Sequence, residues 1–117
     1  MKRLIISMIL LLTIWQSGCA TSDPQIDRAI EGYNKELELN PKNFKAFGNR
    51  GIAFHQKGDF DSAIKDYNKV LKLDPNDAKA YSSRGLAYYE MGDLDNAIRN
   101  LNKAIELNPI DSENYYN

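Results

Sequence analysis

Reactive and metal-binding side chains are almost absent from this 117-residue chain, which has one cysteine, Cys19, and one histidine, His55. A single cysteine cannot form an intramolecular disulfide, so packing alone has to stabilise the fold. A zinc site or a Cys-His catalytic pair would need partner residues that the sequence does not supply. We therefore expect neither an enzyme nor a protein with a metal or another cofactor.

An excess of charge of one sign is also missing. The 15 Lys and Arg residues nearly balance the 16 Asp and Glu residues, which gives a net charge of −1. With no basic run, the sequence offers no electrostatic reason to expect a nucleic-acid partner. A hydrophobic content of 43% and a charged content of 26% are ordinary for a folded domain and too apolar for a disordered chain. The length predicts one small domain.

The N-terminus has the composition of an export signal. Lys2 and Arg3 precede a mainly apolar block at residues 4–15. A membrane-spanning helix needs roughly 20 apolar residues, whereas the core of a signal peptide needs about 7–15. Residues 1–18 are therefore predicted to be a signal peptide outside the fold. An uncleaved membrane anchor is the alternative, because no charged residue occurs between Leu4 and Ser22.

The end of this leader resembles the lipobox of bacterial lipoproteins. Ser17, Gly18 and Cys19 fit that motif, whereas Gln16 stands where the family usually has an apolar residue. The resemblance implies that Cys19 is the first mature residue and carries acyl chains such as palmitate, which hold a protein firmly at a membrane when several are present. The expected location is then the bacterial cell envelope, facing the periplasm in a Gram-negative host. An ordinary secretory leader cleaved near Ala20 is the alternative.

The rest of the chain repeats with a period of 34 residues. Residues 44–77 and 78–111 are identical at 15 of 34 aligned positions. Each unit reads aromatic-x2-Arg-Gly-x2-aromatic, then Ala, then Pro, and this pattern resembles the tetratricopeptide repeat. The recurring residues of the motif are Gly51 and Gly85, Ala63 and Ala97, and Pro75 and Pro109.

The resemblance implies an all-α fold, a right-handed solenoid of antiparallel helix pairs. We expect helices at 25–39, 44–57, 60–73, 78–91 and 94–107. The predicted units are a linker at 19–24, a half repeat at 25–43, full repeats at 44–77 and 78–111, and the start of a further repeat at 112–117.

Packing explains the small residues and the arginines of the motif. Gly51 and Ala63 are predicted where two helices approach closely, because larger side chains would force the helices apart. Arg50 is predicted to pack its aliphatic stem between helices and to reach a carboxylate such as Asp66 with its guanidinium group. The alternative is an arginine that binds a ligand.

In the tetratricopeptide-repeat family the first helix of each pair lines a concave binding face. The resemblance therefore implies a face for a protein or peptide made of Lys45, Asn49, Ile52, His55, Gln56, Lys79, Ser82, Ser83, Leu86, Tyr89 and Glu90. Some members clamp a C-terminal carboxylate with Lys, Asn and Arg. Asn49 and Lys79 match two of those positions, but Ser83 replaces the Arg, so a carboxylate clamp is not expected.

We expect a membrane-anchored adaptor that holds a peptide or a partner subunit on this face. The alternative is a structural subunit of an envelope, secretion or pilus-type assembly, or a homodimer formed through the last helix. That alternative depends on Ile98, Leu101 and Ile105, for which the predicted array offers no covering helix.

Overall fold

A computed structural model describes residues 23–109 of the chain. In this part of the chain the secondary structure consists of five α-helices: α1 (Pro24–Leu39), α2 (Phe44–Lys57), α3 (Phe60–Leu73), α4 (Ala78–Glu90) and α5 (Leu94–Leu107). The all-α prediction is confirmed. Two boundaries differ from the expected ones by one residue. Helix α1 begins at Pro24 and not at residue 25, and α4 ends at Glu90, because Met91 is its C-cap residue. Cys19 and residues 112–117 lie outside the described residues.

Local side-chain chemistry determines where the helices begin and end. Each helix follows an Asp or Asn whose side chain accepts a hydrogen bond from a first-turn backbone N–H, as Asp77 does from Ala80 at 3.0 Å. Such caps pair N–H groups that have no partner within the helix. Between α2 and α3, Gly58 has a φ of 83°, and between α4 and α5, Gly92 has a φ of 81°. Glycine takes this left-handed conformation without steric cost, so both helix pairs turn sharply there.

The helices of each pair approach most closely at the motif glycines. A Cβ atom on Gly51 would lie 2.7 Å from Cε1 of Tyr67, and one on Gly85 would lie 3.0 Å from Cγ of Leu101. Ala63, which begins the contacting face of α3, has no exposed surface. The predicted close helix–helix contact at Gly51 is confirmed, and Ala63 is fully buried as expected.

The core lies around α3, which packs against α2 in its own pair and against α4 of the next. One buried cluster contains Ala63, Ile64, Tyr67 and Ala87. A second contains Val70, Leu71 and Ala80, with Phe47 and Tyr81 packed against it. Because both clusters join the two repeats, neither repeat buries its apolar surface alone.

Two arginine clasps connect the five helices. We use this name for Arg50 and Arg84 with their side-chain partners. Nε and Nη2 of Arg50 donate to the two carboxylate oxygens of Asp66 in α3, each at 2.8 Å, and Nη1 donates to Oδ1 of Asn34 in α1 at 2.8 Å. Its hydrogen bonds to Asp66 raise the pKa of Arg50 above the ordinary arginine value. The predicted contact with Asp66 is confirmed.

The second clasp repeats this arrangement 34 residues later. Nε of Arg84 donates to Oδ1 of Asn100 in α5, and Nη1 donates to Oδ1 of Asn68 in α3, both at 2.7 Å. The guanidinium carbon lies 5.3 Å from the ring centroid of Tyr81, within the range of a cation–π contact. An amide therefore replaces the carboxylate of the first clasp without loss of the contact to Nε.

The last helix presents apolar side chains on its outer side. Ile98 and Ile105 are 58% and 52% exposed, whereas their counterparts 34 residues earlier, Ile64 and Leu71, are each 9% exposed beside α4. The expectation of an uncovered face holds for these two residues. It is wrong for Leu101, which is half-buried and packs against Gly85 in α4.

Among residues 23–109, none of the helices has the length and apolar content that crossing a membrane requires.

Candidate functional site

A groove lies between α2 and α4, and we call it the inter-repeat groove. Its volume is about 290 Å³, at the lower end of the range for small-ligand sites and enough for one or two side chains. The lining residues are Phe44, Lys45, Gly48, Asn49, Ile52, Tyr67, Val70, Asp77, Lys79, Ala80 and Ser83. The first helices of both repeats supply its walls, and α3 supplies its floor.

The floor of the inter-repeat groove is apolar. Val70 and Ala80 are buried beneath it, and Ile52 is half-buried and packs against the core cluster of Ala63 and Tyr67. Gly48 faces Val70, whose Cγ2 would be 3.7 Å from a Cβ atom at position 48. The missing side chain at position 48 leaves part of the groove open.

A tyrosine hydroxyl provides a polar group at this floor. Burial raises the pKa of Tyr67 to about 12, and a side-chain hydrogen bond with Ser83 opposes that effect. The hydroxyl therefore remains protonated at neutral pH. At such a pH it is a hydrogen-bonding group and not a nucleophile.

The rim of the inter-repeat groove carries more positive than negative charge. Lys45 and Lys79 are both exposed and line the same groove from opposite helices. Asp77 also lines it, but its carboxylate accepts the backbone N–H of Ala80 as the cap of α4. The two ammonium groups consequently favour an anionic ligand.

A second groove of about 590 Å³ runs between α1 and α2. It is lined by Asp23, Gln25, Ile26, Ala29, Tyr33, Asn49, Ile52, Ala53 and Gln56. Asn49 and Ile52 belong to both grooves. The two spaces therefore adjoin along α2, and an extended segment could occupy both.

The structure brings together about half of the predicted binding residues. Six of the eleven line these two grooves: Lys45, Asn49, Ile52, Gln56, Lys79 and Ser83. Five residues of the described chain line neither of the two: His55, Ser82, Leu86, Tyr89 and Glu90. Tyr89 is exposed and belongs to the lining of neither groove.

Two of the predicted positions take part in packing, contrary to expectation. The ring of His55 lies edge-on to Phe60 at the α2–α3 turn, with centroids 5.2 Å apart. Ile52 contacts the core as well as the groove. The sequence pattern did not indicate the floor residues of α3 or the α1 wall of the second groove. In the sequence, these residues lie about half a repeat before or after the α2 residues that line the same groove.

The described residues, 23–109, contain no group of three or more His, Cys, Asp and Glu side chains that could hold a metal ion. The residues that line the two grooves offer charge, hydrogen bonding and apolar contact.

Family models for tetratricopeptide repeats match three overlapping parts of the chain. One described as a TPR repeat matches residues 51–92, and two described as tetratricopeptide repeats match residues 33–65 and 78–111. Comparison with curated protein sequences finds no match.

Solved structures of repeat proteins are also similar. "MamA MSR-1 C2" aligns with a TM-score of 0.70 and 33% identity over 73% of this chain, which spans about half, 49%, of that protein. "First TPR of Spaghetti (RPAP3) bound to HSP90 peptide SRMEEVD" aligns with a TM-score of 0.71 and 31% identity, covering 74% of this chain and 68% of that one. The second TPR of the same protein, bound to the same peptide, has a TM-score of 0.68 and 27% identity, covering 72% of this chain and 78% of that one.

The repeat pattern, the five antiparallel helices and these matches lead to one conclusion: the chain belongs to the tetratricopeptide-repeat family, whose repeats serve as protein-interaction modules.

Proposed function

We propose that the inter-repeat groove holds an acidic segment of a partner protein and that the chain acts as a non-enzymatic adaptor. The observation that carries this proposal is the position of Lys45 and Lys79 on opposite walls of a groove with an apolar floor. Asn49 and Ser83 add hydrogen-bonding groups between these lysines. A partner segment with carboxylates and apolar side chains fits both features.

The ligands of similar structures support an acidic partner. Both TPR units of Spaghetti (RPAP3) are bound to a peptide, SRMEEVD, in which three of seven residues are acidic. In this chain, Ser83 stands where the family's carboxylate clamp has Arg. We therefore propose that the groove recognises carboxylates along a segment and does not require a free C-terminus.

We further propose that lipid on Cys19 holds the adaptor at a bacterial membrane. The support is the sequence alone: a charged start, an apolar core of signal-peptide length, and Ser17-Gly18-Cys19 at its end. The interaction module begins at Pro24. An anchored Cys19 would therefore place the groove close to the membrane surface.

Removing both groove lysines is expected to weaken binding of acidic peptides. Each exposed charge contact is worth about 0.2–1 kcal/mol, so Lys45→Ala/Lys79→Ala should lose roughly 2- to 30-fold in affinity. The measurement is fluorescence anisotropy with labelled acidic hexapeptides, acetylated and amidated so that neither end is charged. Wild-type binding should weaken as salt is raised, because exposed charges are screened.

The control variant removes the same number of positive charges from a different part of the surface. Lys65→Ala/Lys69→Ala removes two exposed lysines of α3 that line neither described groove, and it should bind like the wild type. Equal losses in the two double variants would show that only net charge matters. Equal wild-type affinity for the acidic peptides and for their glutamine counterparts would contradict the proposal.

Replacing Cys19 by Ser is expected to release the protein from membranes or to accumulate its unprocessed precursor. Lipid attaches through the thiol, which Ser lacks. The measurement is partition of the full chain between aqueous and detergent phases after expression in a bacterial host. Ser22→Ala, outside the motif, should partition like the parent, and identical partition of Cys19→Ser and the parent would refute lipidation.

A further inference from the structure

The glycines of the described helices differ in what a side chain at each position would contact. Glycine within a helix is less favourable than alanine, so packing or an opening for a ligand can account for a glycine that lies at a helix contact or in a groove. At Gly51 and Gly85 the reason is packing, because an added Cβ would meet a neighbouring helix at 2.7 Å and 3.0 Å. At Gly48 packing gives no such reason. The nearest atom to its added Cβ would be Cγ2 of Val70 at 3.7 Å, an ordinary van der Waals distance.

The location of Gly48 supplies another reason. It lines the inter-repeat groove one turn along α2 from Lys45, and residues three apart lie on the same helix face. The equivalent position of the next repeat is Ser82, which has a side chain and whose hydroxyl donates to the carbonyl of Lys79. The opening is therefore a property of this one groove and not of the repeat.

We propose that Gly48 opens a subsite that takes one apolar side chain of the bound acidic segment, with its carboxylates beside Lys45 and Lys79. This proposal rests on the proposed function and adds the composition of the ligand. Val70 and Ile52 offer apolar surface below the opening, and an apolar side chain placed there would leave water favourably. A segment with an apolar residue between acidic residues would contact the apolar floor and the lysines of the rim at the same time.

The test adds a single methyl group to the subsite. Gly48→Ala is compared with the wild type in anisotropy titrations, using amidated acidic hexapeptides that differ only in one central residue: glycine, alanine, valine or leucine. The wild type should bind the peptide with the central leucine most tightly. The added methyl should reduce affinity for the leucine peptide roughly tenfold, as expected for one methyl group in an apolar site, and should hardly affect the glycine peptide.

Stability provides an independent readout. Because alanine restricts the unfolded chain and suits a helix, Gly48→Ala should raise the melting temperature by about 2–8 °C while it weakens binding. Gly32→Ala in α1 is the matched control. No atom lies within 4 Å of its added Cβ, and Gly32 lines neither described groove. It should raise the melting temperature similarly and leave every affinity unchanged.

The outcomes separate this proposal from the one on which it rests. If the wild type binds none of the acidic peptides, the proposed function fails and the subsite fails with it. If the wild type binds them all equally well, or if Gly48→Ala keeps the preference for leucine, the acidic groove stands and the subsite is refuted. A lowered melting temperature in Gly48→Ala would show that the glycine is needed for packing, which also overturns the proposal.

Discussion

Replacing Asp66 by Ala should lower the free energy of unfolding by about 1.5–3 kcal/mol, because hydrogen bonds to a part-buried charged group are lost. Asp66 is 4% exposed and accepts two hydrogen bonds from Arg50. Its loss would leave part of the guanidinium group unpaired between α2 and α3. A small domain has a total stability of about 5–15 kcal/mol, so urea unfolding followed by circular dichroism should show a much earlier transition.

The chain itself provides the control for this change. Asn100 occupies the equivalent position of the second repeat and holds Arg84 through Oδ1, while its amide donates to the carbonyl of Asn96. Asp66→Asn copies that arrangement and should lose far less stability than Asp66→Ala. Equal destabilisation by the two substitutions would mean that the carboxylate charge, and not the hydrogen bond, holds the first clasp together.

Replacing Ala63 by Leu should cost about 1–3 kcal/mol through overpacking. Ala63 has no exposed surface and belongs to the cluster that contains Tyr67 and Ala87. Its counterpart Ala97 is 2% exposed at the same point of the second pair, so Ala97→Leu should behave alike. Three extra carbon atoms cannot enter either site unless the paired helices move apart. Thermal unfolding measures the effect.

A substitution on the exposed side of the same helix controls for the choice of leucine. Lys65 is exposed in α3, and Lys65→Leu should change stability by no more than about 0.5 kcal/mol. If Ala63→Leu or Ala97→Leu melts together with the parent, the helix faces assigned from the 34-residue period are incorrect.

The helices could be predicted closely because their boundaries depend on adjacent residues. The caps at Asn43, Asp59 and Asp77 and the turn at Gly58 each act within a few positions of the helix end that they determine. The start of α1 and the end of α4 were the exceptions, each by one residue. Met91 still donates its N–H to the carbonyl of Ala87 but lies in the cap position. Sequence reasoning places such a residue equally well on either side of the boundary.

The groove was harder to predict because it depends on neighbouring helices. The 34-residue period predicts the same role for equivalent positions of the two repeats. However, His55 contacts Phe60, whereas its counterpart Tyr89 is exposed. Val70 reaches the floor only because α3 passes between α2 and α4. Helical periodicity shows that such a residue is buried, but it does not show which cavity lies above it.

The arginine clasps also bear on how quickly the chain can fold. All four hydrogen-bonded pairs formed by Arg50 and Arg84 join residues 16 positions apart in the sequence. Closing short loops costs little chain entropy, and helical proteins dominated by such local contacts fold in about microseconds to milliseconds. Each clasp ties one helix to the helices immediately before and after it. Folding can therefore start at either clasp and spread to its neighbours, with no distant strand or helix needed to complete the first stable unit.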